Sequence, residues 1–188
     1  MTEQKKERLL IAASQNVCAK LTGILAGAGI EPDEVVYTAE DALAFCAQEG
    51  ALLLTTYKLG EEDGTELAKK LGEATDVLMI VPKEYDEAVP ANVLTLHNPM
   101  SPDALAHAVR TMLHARGRMT ALRARADKLS RTLEERKVID RAKGRLMDAL
   151  HITEAQAHHH IQKKSMDSGR RIADVAREIL EAEDLAAL

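Results

Sequence analysis

The sequence predicts an α/β domain built on a five-stranded parallel sheet, then a long coiled-coil helix and a small all-α domain of three helices. Short apolar runs alternate with helical patterns over residues 9–96. A heptad-spaced apolar series follows, and beyond it Lys and Arg outnumber Asp and Glu. We therefore place the three regions at residues 1–112, 113–134 and 135–188.

The N-terminal region alternates β-type runs with helical patterns. Parallel strands need crossover connections that cover both faces of the sheet, so this alternation predicts a doubly wound sheet. Ligands of such sheets bind at the carboxyl ends of the strands. The predicted strands are Leu9–Ala12, Val35–Tyr37, Ala51–Leu54, Val77–Val81 and Val93–Leu96, and the helices between them are Asn16–Ala28, Ala39–Gln48 and Gly64–Leu71.

Composition narrows the class of protein. Hydrophobic residues make up 46% and aromatic residues 2%, which indicates a globular chain with aliphatic cores. We find no membrane-length apolar run and no signal-peptide pattern, and expect a cytoplasmic protein. The spacing of Cys18 and Cys46 does not support a zinc site or a disulfide framework. Without paired carboxylates at strand ends, a nucleophile beside a base or a phosphate-binding loop, we expect no enzyme activity, cofactor or metal.

Charge is segregated along the chain. Residues 1–109 contain 8 Lys and Arg against 18 Asp and Glu, a net charge of −10. Residues 110–177 contain 17 against 8, a net charge of +9, and residues 178–188 add four acids. A local excess of Lys and Arg attracts nucleic acid whatever the total charge, so the basic part is the candidate effector.

The order of the runs and the loop Leu59–Gly64 resemble the receiver domain of bacterial response regulators, which implies a flavodoxin-like fold and two-component signalling. That family has an acidic pair after the first strand, a phosphorylated Asp at the end of the third, a Ser or Thr after the fourth and a Lys-Pro after the fifth. The corresponding residues here are Ala13 and Ser14, Thr56, Val81 or Pro82, and Asn98 followed by Pro99.

Neither Ala13 nor Thr56 supplies the carboxylate that a magnesium ion or an acyl phosphate needs. We therefore expect a degenerate phosphorylation site at Ala13, Ser14, Thr56 and Asn98, in a pseudo-receiver controlled by a regulatory protein, a small ligand or concentration. The alternative is a receiver with a displaced site, which would incorporate an acyl-phosphate mimic. Residues 82–92, with two prolines, leave room for one helical turn where the family has a full helix.

A connecting helix runs from Ala104 past Arg136, interrupted only by Gly117. Its apolar residues step by 3, 4, 3 and 4, which predicts a parallel two-stranded coiled coil and a homodimer. The alternative is a helix that packs the same stripe on its own domain, but the flanking surface is too charged to bury. The seam is Met119, Leu122, Ala126, Leu129 and Leu133.

Three helical patterns follow the seam. The first buries Val138, Ile139, Ala142, Leu146 and Leu150. The second begins at Thr153 with a capping box to Gln156 and has an apolar face of Ala157, Ile161 and Met166. The third is capped by Ser168 and carries an apolar stripe from Ile172 to Leu180.

Three segments, Ile139–Met147, Thr153–Ala157 and Gln162–Ala176, resemble the ANTAR domain. Together with the receiver-like domain and the coiled coil, the arrangement resembles ANTAR response regulators. That resemblance implies transcription antitermination: a dimer binds two adjacent hairpins in a nascent mRNA leader and prevents a terminator from forming.

The basic residues of this region are compatible with hairpin RNA, since cations neutralise phosphates and stack on exposed loop bases. Gly144 either lets a backbone or a base approach or relieves packing. His158 stands where the family has an aromatic residue, and His158, His159 and His160 cannot easily share a metal because successive helical residues diverge. We define the RNA-binding set as Arg141, Lys143, Gly144, Arg145, Lys163, Lys164, Arg170 and Arg171.

Two other functions compete with RNA binding. A DNA-binding transcription factor would insert the third helix into a major groove, but that helix offers no Asn or Gln to read adenine. A protein-only signalling adaptor would dock its basic surface on an acidic partner. Binding to two-hairpin RNA, duplex DNA and scrambled RNA across a salt series separates the three.

Overall fold

The N-terminal unit is organised around five parallel strands. A computed structural model describes residues 7–48, 51–72, 75–85 and 88–182. Residues 1–6 of the first predicted region and residues 183–188 of the last lie outside the described residues. The strands are β1 (Arg8–Ala12), β2 (Glu34–Val36), β3 (Ala51–Thr56), β4 (Lys58–Leu59), β5 (Glu62–Asp63), β6 (Asp76–Pro82) and β7 (Val93–Asn98). The helices are α1 (Gln15–Gly27), α2 (Ala39–Gln48), α3 (Gly64–Leu71), α4 (Pro102–Leu150), α5 (Glu154–Ser168) and α6 (Ile172–Glu181).

The sheet has the strand order β2-β1-β3-β6-β7, with every pairing parallel. This order is that of flavodoxin-like folds, so the predicted fold class is confirmed. Successive residues of β1 point to opposite faces. Leu9 and Ile11 pack with α1 and the start of α4, whereas Leu10 and Ala12 pack with α2 and α3. Both faces are therefore covered.

A short hairpin follows β3, where the sequence predicted only a loop. Strands β4 and β5 pair antiparallel and lead directly into α3. Asp63 caps α3, because its Oδ1 accepts a hydrogen bond from the backbone N–H of Thr65 at 2.6 Å. Gly64 begins that helix against the sheet, and a Cβ placed there would lie 2.6 Å from the carbonyl oxygen of Thr56.

No helix joins β6 and β7 in the described part of the connection, of which residues 86–87 are not described. Side chains of this connection bond to α3 and its surroundings instead. The Asn92 amide donates to the carbonyls of Gly72 at 3.0 Å and Thr75 at 2.9 Å. The Tyr85 hydroxyl lies 3.2 Å from Thr65 Oγ1. These contacts take the place of the helix that a receiver normally has there.

Helix α4 is continuous from Pro102 to Leu150, so the predicted interruption at Gly117 is wrong. A single helical glycine costs only about 1 kcal/mol relative to alanine, which the surrounding helix can absorb. One residue before it, Arg116 pairs with Asp76 at 2.6 Å and with Glu7 at 3.4 Å. Its side chain is 11% exposed, and these pairs hold α4 against the amino ends of β1 and β6.

The chain divides into two compact units, residues 1–120 and 121–188. In the second unit, the last turns of α4 pack with α5 and α6 around a small aliphatic core. The predicted capping box is present at the start of α5, between Thr153 and Gln156. The buried core residues are Ala142, Leu146, Ala157, Ile161, Val175, Ala176 and Ile179.

Three details of this unit differ from the sequence prediction. Met166 is 74% exposed and Leu150 37% exposed, and neither side chain belongs to the core of the C-terminal unit. Ser168 ends α5 rather than capping α6, and its hydroxyl donates to the Lys164 carbonyl at 2.6 Å. The residue that precedes α6 is Arg171, without a side-chain cap bond.

Arg145 connects α4 with the end of α6. Its guanidinium donates to the carbonyl oxygens of Leu180 and Ala182. The last carbonyls of a helix have no intrahelical partner, so this side chain satisfies groups that otherwise need water. Arg145 thereby holds the end of α6 against α4.

We expect Gly64→Ala to lower the free energy of unfolding by about 1–3 kcal/mol, the usual cost of overpacking. The added methyl would meet the carbonyls of Thr56 and Tyr57, which the sheet holds in place. Gly23→Ala in α1 is the matched control, since nothing lies within 4 Å of its new methyl. It should stabilise by about 0.5–1 kcal/mol. Urea unfolding measures both, and equal effects would contradict the close approach.

We expect Arg145→Met to lower the stability of the C-terminal unit by about 1–3 kcal/mol, because two charge-assisted hydrogen bonds are lost. Arg141→Met is the control on the same helix, since Arg141 is exposed. It should change stability by less than about 0.5 kcal/mol. Unfolding followed by circular dichroism compares the two variants. A similar cost for both would remove the structural role assigned to Arg145.

Candidate nucleic-acid interface

The RNA-binding set lies on α4 and α5 and on the turn between α5 and α6. Arg141, Lys143, Gly144 and Arg145 belong to α4, and Lys163 and Lys164 belong to α5. Gly169 ends α5 in the left-handed conformation, with φ of 66°, and places Arg170 and Arg171 just before α6. Helix packing thus brings cations far apart in sequence into one small unit.

Lys143 is held by two carboxylates. Its Nζ lies 2.7 Å from Asp140 Oδ1 and 2.7 Å from Glu154 Oε1, and its side chain is only 15% exposed. Hydrogen bonding to Asp140 and then to Glu154 raises the pKa of Lys143 above its ordinary value. The sequence pattern placed Lys143 in the RNA-binding set. The structure places it in an ion-paired bridge between α4 and the first turn of α5.

Arg145 and Gly144 occupy different surroundings. Arg145 is half-buried and bonded to the carbonyls at the end of α6, so it is not a freely projecting cation. No heavy atom of the described structure lies within 4 Å of a Cβ built on Gly144. Packing therefore does not require glycine here, and the space beside the backbone is open.

Lys164 and Arg170 share one acid. Glu178 Oε1 accepts from Lys164 Nζ at 2.9 Å, and Glu178 Oε2 accepts from Arg170. These two partners, Lys164 first, hold the pKa of Glu178 below its ordinary value. Arg171 likewise pairs with Glu135 of α4. Four of the seven cations of the set are therefore bound to carboxylates within the unit.

Arg141 and Lys163 differ from the rest of the set. Both are exposed, and no described residue forms a hydrogen bond or an ion pair with either. Opposite charges bound within the protein weaken a cation's attraction for phosphate. Within the described part of the chain, Arg141 has only a longer-range Coulombic interaction, with Glu134. They are the members of the set most available to an external anion.

The sequence prediction missed the acids of this surface. Glu135, Glu154 and Glu178 each bond to a cation of the set, at separations of 36, 11 and 8 or 14 residues. Such pairs have no local spacing signal, because they depend on how the three helices pack. The one local signal was the helical spacing of Asp140 and Lys143, three residues apart.

The apolar seam on α4 is exposed in the single chain. Met119, Leu122, Leu129 and Leu133 are 51%, 54%, 63% and 52% exposed, and Ala126 is also exposed. Helix α4 places these residues along one stripe, as the 3 and 4 spacing requires. Among the described residues, none covers this stripe in the single chain.

The carboxyl ends of the strands carry few groups for phosphate chemistry. Ala13 is buried after β1, and Ser14 precedes α1. Thr56 ends β3, and its hydroxyl donates to the Lys58 carbonyl at 2.7 Å. Asn98 ends β7, beside Pro82 of β6. All four residues lie where the sequence placed them, at the edge of the sheet where ligands of this fold bind.

Aromatic side chains gather beside Thr56. The rings of Tyr57 and Tyr85 meet edge to face with centroids 5.1 Å apart, and the Tyr85 hydroxyl lies 3.2 Å from Thr65 Oγ1. Such a pair adds to the packing of this end of the sheet.

The described residues contain no group of three or more His, Cys, Asp or Glu arranged to hold a metal ion. Among the described helices, none is apolar over a length that would cross a membrane.

Both units of the chain are similar to known proteins. The ANTAR domain model matches residues 127–180. The structure of the response regulator StyR is similar over 93% of this chain and 98% of its own, with a TM-score of 0.65 and 18% identity. A response regulator from Chloroflexus aurantiacus J-10-fl matches 58% of this chain and 99% of its own, with a TM-score of 0.50 and 26% identity.

A signal receiver domain from Vibrio parahaemolyticus matches 62% of this chain and 96% of its own, with a TM-score of 0.50 and 18% identity. No curated protein has a sequence that matches this chain significantly. The chain therefore carries an ANTAR domain at residues 127–180, and its N-terminal unit has the fold of response-regulator receivers.

Proposed function

We propose that this protein is an RNA-binding transcription antitermination regulator, which recognises two adjacent hairpins in a nascent mRNA leader as a dimer. The ANTAR domain at residues 127–180 is the observation that carries the proposal. The net charge of +9 over residues 110–177 supports it, because phosphate neutralisation supplies most of the affinity for nucleic acid. The protein acts by binding and catalyses no reaction of its own.

Within the RNA-binding set, Arg141 and Lys163 make the first phosphate contacts, since both are exposed and unpaired among the described residues. Open space beside Gly144 leaves room for an RNA backbone or a splayed base. Lys143 and Arg145 act mainly by holding the helices in place, because both side chains are partly buried and each makes two bonds within the unit.

The protein works in the cytoplasm. Its N-terminal unit is a pseudo-receiver. Ala13 and Thr56 cannot bind magnesium through a carboxylate or form an acyl phosphate. Asn98 lacks the cation that the family uses at this position. A regulatory protein or a small ligand supplies the input in place of phosphate, and the short connection between β6 and β7 gives this unit a surface different from that of a phosphorylated receiver.

The dimer forms through a parallel coiled coil of α4. Its seam of Met119, Leu122, Ala126, Leu129 and Leu133 is exposed in the single chain and repeats at heptad spacing. A homodimer would bury this stripe and bring two ANTAR domains into one particle. Two domains then match the two hairpins of the proposed target.

The RNA proposal is tested with two-hairpin RNAs enriched from a pool with randomised loops. The full chain should bind the enriched RNA at least about tenfold more tightly than a loop-scrambled RNA or the corresponding duplex DNA, which is a difference of about 1.4 kcal/mol. Arg141→Ala and Lys163→Ala should each lower the slope of log Kd against log salt concentration by roughly 0.7–0.9.

Lys20→Ala, an exposed cation of the acidic N-terminal unit, is the control and should leave binding unchanged. Equal affinity for scrambled RNA would refute specific antitermination. Preference for duplex DNA would favour a transcription factor, and failure of the pool to enrich any RNA would favour a protein-only adaptor.

The dimer proposal is tested by sedimentation equilibrium. We expect the wild-type chain to sediment at twice its mass of 20.6 kDa. Leu129→Lys should give a monomer, because a lysine in the seam places a charge in the buried interface. Ala124→Lys is the control, since Ala124 is exposed on the same helix outside the seam. A monomeric wild type, or dissociation by both substitutions, would count against the coiled coil.

A further inference from the structure

Glu178 is the acid that contacts two cations of the RNA-binding set. It lies on α6, whereas Lys164 lies on α5 and Arg170 on the turn between these helices. Each carboxylate oxygen of Glu178 accepts from a different cation, Oε1 from Lys164 at 2.9 Å and Oε2 from Arg170. A phosphate that binds either cation therefore competes with a carboxylate that is already bonded to it.

The backbone at both cations is positioned without help from Glu178. Ser165 Oγ donates to the Arg170 carbonyl at 2.6 Å, and Gly169 adopts the left-handed conformation that ends α5. Packing of Ile161 against Val175 and Ile179 in the core holds α5 beside α6. Removal of the Glu178 charge should leave the backbone at both cations in place. Glu178 is therefore better suited to occupy these cations than to position them.

The bonds of Glu178 are exchangeable. Its side chain is 34% exposed and that of Arg170 is 50% exposed, so water and an incoming anion reach the pair. Exposed ion pairs contribute little net stability because water screens them. A backbone phosphodiester offers the same cations two non-bridging acceptor oxygens and one negative charge, as the carboxylate does, and an RNA brings several such groups at once. Hydrogen bonding to Lys164 and Arg170 also lowers the pKa of Glu178, so its carboxylate is charged at neutral pH and repels RNA.

Resting on the proposed RNA-binding function, we infer that Glu178 limits the RNA affinity of the ANTAR domain by competing with RNA phosphates for Lys164 and Arg170. When RNA binds, both cations move from the carboxylate to phosphate, and Glu178 is released to water. The acid thus sets the affinity of the site. It keeps this part of the basic surface partly neutralised until a ligand with enough phosphate contacts arrives.

The test compares Glu178→Gln with Glu181→Gln in the full chain, using the same enriched two-hairpin RNA. Both substitutions remove one negative charge from α6, but Glu181 is exposed and pairs with no described cation. Glu178→Gln should tighten binding about three- to sixfold, the effect that Coulomb's law gives for one charge about 4–6 Å from a phosphate in water. The slope of log Kd against log salt concentration should be larger for this variant by roughly 0.7–0.9.

Glu181→Gln should change the affinity by less than about twofold, because a more distant exposed charge is screened by salt. Circular dichroism confirms that both variants are folded at the temperature of the binding assay. Unchanged or weaker binding by folded Glu178→Gln, with the wild type still binding the enriched RNA specifically, overturns the competition while the proposed function stands. Equal tightening by both variants also overturns it, and a wild type that binds no RNA specifically refutes the function itself.

Discussion

Helix α4 supplies side chains to both hydrophobic cores, and the two units depend on it. Leu105 and Val109 complete one face of the parallel sheet, and Ala142 and Leu146 enter the core of the C-terminal unit. A sheet of this kind must be covered on both faces, so the first turns of α4 are required for the N-terminal fold. The C-terminal core is small, and without Ala142 and Leu146 it would consist of two short helices alone.

Between these two cores, no residue in the described part of the chain covers the apolar stripe of α4. The stripe is flanked by Arg118, Arg123 and Arg125, whose side chains are exposed. An apolar seam with basic borders is suited to pairing with a second helix while the arginines stay in water. The same arginines extend the positive charge of the chain from the ANTAR domain along α4.

The electrostatics of the ANTAR domain are more balanced than its net charge suggests. Lys143, Lys164, Arg170 and Arg171 are each bonded to acids, and two of these pairs converge on Glu178. A cation bound to a carboxylate can stabilise the packing of helices, and it can also be exchanged for a phosphate. Exposure separates these roles: the Lys143 side chain is mostly buried, whereas Arg170 and Arg171 face the solvent.

The sequence by itself determined the main strands and helices, the heptad spacing of the apolar residues on α4 and the residues at the ends of the main strands. These features are local, because apolar periodicity, glycine and capping residues act within a few positions. Tertiary structure decided which cations remain free. Glu135 and Glu178 meet Arg171, Arg170 and Lys164 only after three helices have packed, and Arg145 reaches the end of α6 only then. Contacts between residues distant in the chain depend on the geometry of packing, which no spacing in the sequence encodes.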